Sequence, residues 1–143
     1  MGVSRIFWDS NIFIYFLEGS SEWSHRARQL LDRMSERDDE LYTSTLTLGE
    51  VLVKPLEKGN TSLVARYERF LNSSAVQLVS LDRDAARKYA RIRLDRTIKA
   101  PDAVQLACAA AAGTNLFVTN DARLSQKTVP GIDFIVPLEK VFL

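Results

Sequence analysis

Residues 101–121, Pro-Asp-Ala-Val-Gln-Leu-Ala-Cys-Ala-Ala-Ala-Ala-Gly-Thr-Asn-Leu-Phe-Val-Thr-Asn-Asp, decide how this chain is built. A proline in the opening turn and Gly113 just past the last alanine bracket a helix over 101–112. The helix is apolar almost all round, so it is predicted to be buried. Leu116, Phe117, Val118 and Thr119 then read as a short strand, with Asp121 two residues beyond it.

Working outward, the same alternation repeats. Toward the N-terminus lie amphipathic helices over 83–93 and 63–71, with a strand at 76–79 between them. A helix over 45–53 is expected to stop before Pro55, because the residue preceding a proline is turned away from helical geometry. Residues 41–43 form a strand, and 25–37 a helix with Ala27, Leu30, Leu31 and Met34 on one face. A helix from about 11 to 18 follows a first strand over 5–8, and Phe134-Ile-Val supplies a fifth strand near the end. Strands separated by helices imply right-handed crossovers and a parallel sheet. The expected class is α/β, a three-layer sandwich with helices on both faces. A length of 143 residues fits one domain spanning 1–143.

Composition narrows the chemistry. A hydrophobic share of 46% supports a core, and a net charge of +1 names no partner by itself. The lone Cys108 cannot form an internal disulfide, and its alanine-rich surroundings read as core. The lone His25 excludes a multi-histidine zinc site, and no G-x-S-x-G elbow exists for a serine nucleophile. The start Met-Gly-Val-Ser only faintly echoes a myristoylation signal, and no secretory leader is read there. No run of 18 apolar residues occurs, so a soluble, cytoplasmic chain without membrane contact is expected.

Four acids stand in telling places. Asp9 directly follows the first strand and Asp121 the fourth, at the carboxyl edge where open parallel sheets place their function. Either could equally be a turn residue or a helix cap. Glu50 shares the 46, 49, 50, 53 spacing with Leu46, Gly49 and Val53, which predicts a carboxylate on an inward stripe, with Gly49 allowing close approach. Asp102 is the only charge on the 101–112 helix; in the first turn it also complements the helix dipole. Two carboxylates 4 Å apart repel by about 4 kcal/mol at an effective dielectric near 20, so four cannot cluster without a cation. Arg123 is the only basic residue within three positions of Asp9, Glu50 or Asp121. Hard divalent ions suit an all-oxygen site.

Trp8-Asp9-Ser10-Asn11, Leu48-Gly49-Glu50-Val51, Pro101-Asp102-Ala-Val-Gln-Leu-Ala107 and Val118-Thr119-Asn120-Asp121 resemble the PIN-domain family, and the VapC-type toxins within it most closely. The likeness runs over nearly the whole chain in the right order. It implies that Asp9, Glu50, Asp102 and Asp121 bind one or two Mg²⁺ or Mn²⁺ ions. Ser10, Asn11 and Thr119, and less strongly Asn120, would orient those ligands, although Ser10 or Asn11 could simply cap a helix and Asn120 form a turn. The implied activity is cleavage of single-stranded RNA by a metal-activated water, leaving 5′-phosphate and 3′-hydroxyl ends. A VapC-type toxin would have a cognate antitoxin and would be expected to form a homodimer. A free-standing RNA-processing nuclease and a non-catalytic PIN binding module are the alternatives. A haloacid-dehalogenase-type phosphatase would need an acid where Asn11 stands, and a receiver domain paired acids after its first strand.

RNA needs a positive surface. Arg83, Arg87, Arg91 and, less well aligned, Lys88 share a helical face and are the candidate phosphate contacts; a solvated, mixed-charge face is the plain alternative. Phe13, Tyr15, Phe16 and Trp23 belong either to the core or to an interface with an antitoxin or a second copy.

Overall fold

The computed structural model describes residues 3–141 and 143; Met1 and Gly2, and with them the myristoylation-like start, lie outside the described residues. Elements follow in the order β1 (Arg5–Trp8), α1 (Ser10–Leu17), α2 (Glu22–Arg37), β2 (Glu40–Ser44), α3 (Thr45–Glu57), α4 (Thr61–Leu71), β3 (Val76–Val79), α5 (Arg83–Ile92), α6 (Ala100–Ala111), β4 (Leu116–Thr119) and β5 (Phe134–Pro137). The five strands form one parallel sheet in the order β3-β2-β1-β4-β5. The expected α/β sandwich is therefore the observed one.

Strand side chains alternate between two cores, as the pleat requires. Ile6, Trp8, Leu41, Val76 and Val118 pack with Ile12, Phe13, Ala27, Met34, Val51 and Tyr67 beneath α1 to α4. Phe7, Phe117 and Ile135 point the other way, against Ala85, Ala103, Leu106 and Ala109 of α5 and α6. The chain steps from β1 to β2 to β3 in one direction with helices on one face. It then returns past β1 to β4 with helices on the opposite face. Reversing both direction and face keeps the crossovers of one hand. The sheet's switch point thus lies between β1 and β4, where Phe7 and Phe117 are register partners with stacked rings 5.1 Å apart.

Several boundaries differ from expectation. α3 does not stop before Pro55 but runs on to Glu57 with Pro55 buried inside it. The proline falls in the last turn, so the ring forfeits a single helical hydrogen bond, to Val51, and Lys58 N–H closes the next turn on Lys54 O at 3.0 Å. The inward face of α3 is also different. Thr47, Val51 and Pro55 are buried, while Glu50 and Val53 are exposed and a Cβ on Gly49 would meet nothing within 4 Å. The spacing was helical, but the sheet took the neighbouring stripe. Cys108 is buried among apolar neighbours, which pushes its thiol up to about 11 and leaves it inert. Phe13 is core, and Tyr15, Phe16 and Trp23 are half-buried against it. Among the described residues, no helix is long and apolar enough to cross a membrane.

Candidate active site

Strands β1 and β4 end side by side, and Asp9 N–H donates across the seam to Val118 O at 3.0 Å. Open α/β sheets place their crevice at this switch point, and both strands deliver an acid there. Asp9 is the N-cap of α1, accepting from Ser10 N–H at 2.8 Å through Oδ1. The cap therefore falls to Asp9 and not to Ser10 or Asn11. Its other oxygen, Oδ2, accepts from the Thr119 hydroxyl at 2.9 Å. Thr119 is fully buried and also receives Asp121 N–H at 3.0 Å, so one hydroxyl fixes both acids that flank the seam.

Burial pushes Asp9 up to about 6, against the two hydrogen bonds that favour its charge; Asp102 and Glu50 add repulsion. Asp102 stands half-buried in the first turn of α6. It too is raised, by burial first and then by the charges of Asp121 and Glu50, with Arg123 and Lys99 opposing. The four acids thus face one another electrically, although they come from four elements or their ends.

They are not treated alike. Asp121 is lowered, chiefly by hydrogen bonding from Arg123, whose Nη2 lies 3.1 Å from Oδ2 and Nε 3.3 Å from Oδ1. Glu50 is exposed, yet Oε1 is held by the Ser10 hydroxyl at 2.6 Å and by Gln105 Nε2 at 3.2 Å. Asp9 is buried, and among the described residues no cation pairs with it. Among the described residues, no three His, Cys, Asp or Glu side chains converge closely enough to hold an ion. The donor chemistry nevertheless suits a hard divalent cation, since every candidate ligand is a carboxylate oxygen and the most buried one lacks a compensating charge.

A polar cluster beneath the acids escaped sequence reasoning. Gln105 is 1% exposed, one turn after Asp102. Its Nε2 donates to Thr47 Oγ1 at 2.8 Å and reaches Ser10 Oγ at 3.1 Å, and its Oε1 accepts from Ser44 Oγ at 2.5 Å. Thr43 Oγ1 lies 2.8 Å from Thr47 Oγ1 and donates to Trp8 O at 2.9 Å. The cluster ties β1, α1, β2, α3 and α6 together at the point where three of the acids enter. One signal was available: Gln105 is the sole polar side chain after Asp102 in an otherwise apolar helix.

The remaining expectations divide. Ser10 and Thr119 touch the acids, as above. Asn11 is exposed on α1, and among the described residues its side chain makes no hydrogen bond. Asn120 Nδ2 donates to Tyr15 Oη at 2.8 Å, which pins the β4 loop to α1 and not to a carboxylate. On α5, Arg87, Lys88 and Arg91 line a groove of about 310 Å³ with Val129 and Pro130, and Lys88 pairs with Asp84 at 3.4 Å. Arg83 begins the helix, about 12 Å along its axis from Arg91, and is not part of that lining.

Comparison with known proteins places this arrangement. No curated protein sequence matches the chain. Among solved structures, a DNA-bound VapBC from Salmonella typhimurium is 22% identical with a TM-score of 0.73, over 95% of this chain and 99% of that one. VapC20 of Mycobacterium tuberculosis, a sarcin-ricin loop cleaving toxin, is 15% identical with a TM-score of 0.71, over 88% and 97%. VapBC2 from Rickettsia felis, bound to a fragment of promoter DNA, is 16% identical with a TM-score of 0.69, over 93% and 98%. At these identities the likeness concerns the fold. The family model for the PIN domain matches residues 6–129, and with the seam acids set as described, the chain belongs to the PIN-domain family.

Proposed function

We propose that this chain is a divalent-metal-dependent endoribonuclease that cleaves single-stranded RNA, the toxin of a type II toxin–antitoxin pair. The observation that carries the reading is Asp9: a buried carboxylate without a cation, facing Asp102 and Glu50 at the switch point of the sheet. Family membership and the VapBC complexes among the structural neighbours support it. VapBC is a family of toxin–antitoxin systems, and the partners proposed here are a cognate antitoxin and a second copy of the chain.

Asp9, Glu50, Asp102 and Asp121 would hold one or two Mg²⁺ or Mn²⁺ ions. When bound, such an ion supplies an activated water for attack on phosphorus and stabilises the charge that develops on the phosphate oxygens. The protein's share is orientation. Thr119 fixes the Oδ2 side of Asp9, Ser10 N–H the Oδ1 side, and Gln105 and Ser10 together aim Glu50. Attack by water and not by a ribose hydroxyl leaves 5′-phosphate and 3′-hydroxyl ends.

The test uses the purified chain with Mn²⁺ and a single-stranded RNA. Wild type cuts, a chelator stops it, and Asp9→Asn is inactive while remaining folded by circular dichroism. Undiminished cutting by Asp9→Asn, or products with 2′,3′-cyclic phosphate ends, would reject the mechanism.

A further inference from the structure

Arg123 stands out among the cations near the acids. Among the described residues it is the only one in an ion pair with any of the four, and the pair is built within one loop, two residues apart. Asp121 accepts from Arg123 through both oxygens, and the backbone N–H of Arg123 adds a third bond to Oδ1 at 2.9 Å. That backbone bond holds the loop in place whatever the side chain does. The Arg123 side chain is 66% exposed, so little packing keeps it where it is. An exposed pair of this kind holds weakly and yields readily to a stronger competitor.

The same side chain borders a groove. Arg123 lines a groove of about 460 Å³ together with Thr97, Ala122, Gln126 and Lys127, a volume that admits a nucleotide. Lys127 crosses the groove to Asp95 at 2.9 Å and Thr97 at 2.7 Å. A guanidinium released from Asp121 therefore faces a polar groove where a phosphate oxygen would be its best available partner.

We propose that Arg123 exchanges partners. Without metal it neutralises Asp121; when a divalent ion takes that carboxylate, the guanidinium turns into the groove and binds the RNA backbone beside the cleavage point. Arg123 is thereby a positioning residue that couples metal loading to substrate grip. The inference rests on the nuclease reading above, and the experiment separates the two.

Mn²⁺ binding is titrated by electron paramagnetic resonance on RNA-free wild type, Arg123→Ala and Arg123→Lys, all checked for equal melting temperatures. Arg123→Ala should bind Mn²⁺ about three- to fivefold more tightly, with Arg123→Lys between it and wild type. Binding of a fluorescent single-stranded RNA is then followed by anisotropy, with chelator and with Ca²⁺. Loss of Arg123 should weaken RNA binding only with Ca²⁺ present, lowering the salt slope by about 0.7 for one lost phosphate contact. Wild type that binds Mn²⁺ while Arg123→Ala binds it equally or more weakly overturns the exchange alone. An RNA defect of the same size with and without Ca²⁺ does likewise. Wild type that binds no Mn²⁺ removes the nuclease reading, and the exchange falls with it.

Discussion

Asp9 combines two demands that pull its proton in opposite directions. As the cap of α1 and the acceptor for Thr119 it is set up to be an anion, while its burial resists the charge. Burial prevails, and the carboxyl titrates near 6 in the fold against 3.8 when unfolded. Folding therefore favours the protonated form. The metal-free protein keeps this contribution below pH 3.8 and loses it as pH rises through 6, by about 3 kcal/mol at pH 7. Asp9→Asn should accordingly match wild type in chelator at pH 4 and exceed it at pH 7.5 by up to about 3 kcal/mol in urea unfolding. An advantage that does not grow with pH would show that the acid is not desolvated. Saturating Mn²⁺ should shrink or reverse the difference, because the cation supplies what the fold withholds.

At the scale of elements, Gln105 on α6 joins two helices and a strand through one amide. Gln105→Leu keeps the volume but strands the Ser44 hydroxyl, takes one partner from Thr47 and leaves Glu50 held by Ser10 alone. A loss of about 2–4 kcal/mol in chemical denaturation is expected, along with weaker Mn²⁺ binding. A variant as stable as wild type would mean the cluster is idle. The helix α5 offers a second check. Arg87→Glu with Arg91→Glu should weaken RNA binding and lower its salt slope by about 1.4, whereas Arg83→Glu should change little, since only the first two line the groove. RNA affinity and salt dependence left unchanged by the Arg87→Glu, Arg91→Glu pair would restore the solvated-face reading. These elements also show what could be read beforehand. The strands, the buried 101–112 helix and the placement of Asp9 and Asp121 follow from local pattern, which needs no knowledge of neighbours. The contacts of Gln105 and Ser10 span from 37 to 95 residues of chain, and no local pattern encodes them. The face of α3 was misread for the same reason. Leu46, Gly49 and Val53 make as good a stripe as Thr47, Val51 and Pro55, and only the position of the sheet chooses between them.

For the molecule as a whole, the turn into β5 packs closely on the end of α6. Gly131 has φ +98°, and a Cβ there would sit 2.8 Å from Ala110 O. Gly131→Ala should therefore cost about 2–3 kcal/mol and lower the melting temperature by several degrees, through both backbone strain and overlap with α6. No measurable shift would mean that the turn yields to the added methyl and that its contact with Ala110 is not confining. Sheet order, by contrast, was not legible: alternating strands and helices fix a parallel sheet, but the point where it reverses depends on which face α5 and α6 cover.

That reversal has a bearing on synthesis. Strand β1 is made before β2, β3 and α6, and it finds its β4 neighbour only after all of them have left the ribosome. Until then Asp9 has no Thr119 to hold it and Asp102 no Asp121 beyond it. A growing chain halted before β4 is thus unarmed, and whatever this protein cuts is spared until that strand is made.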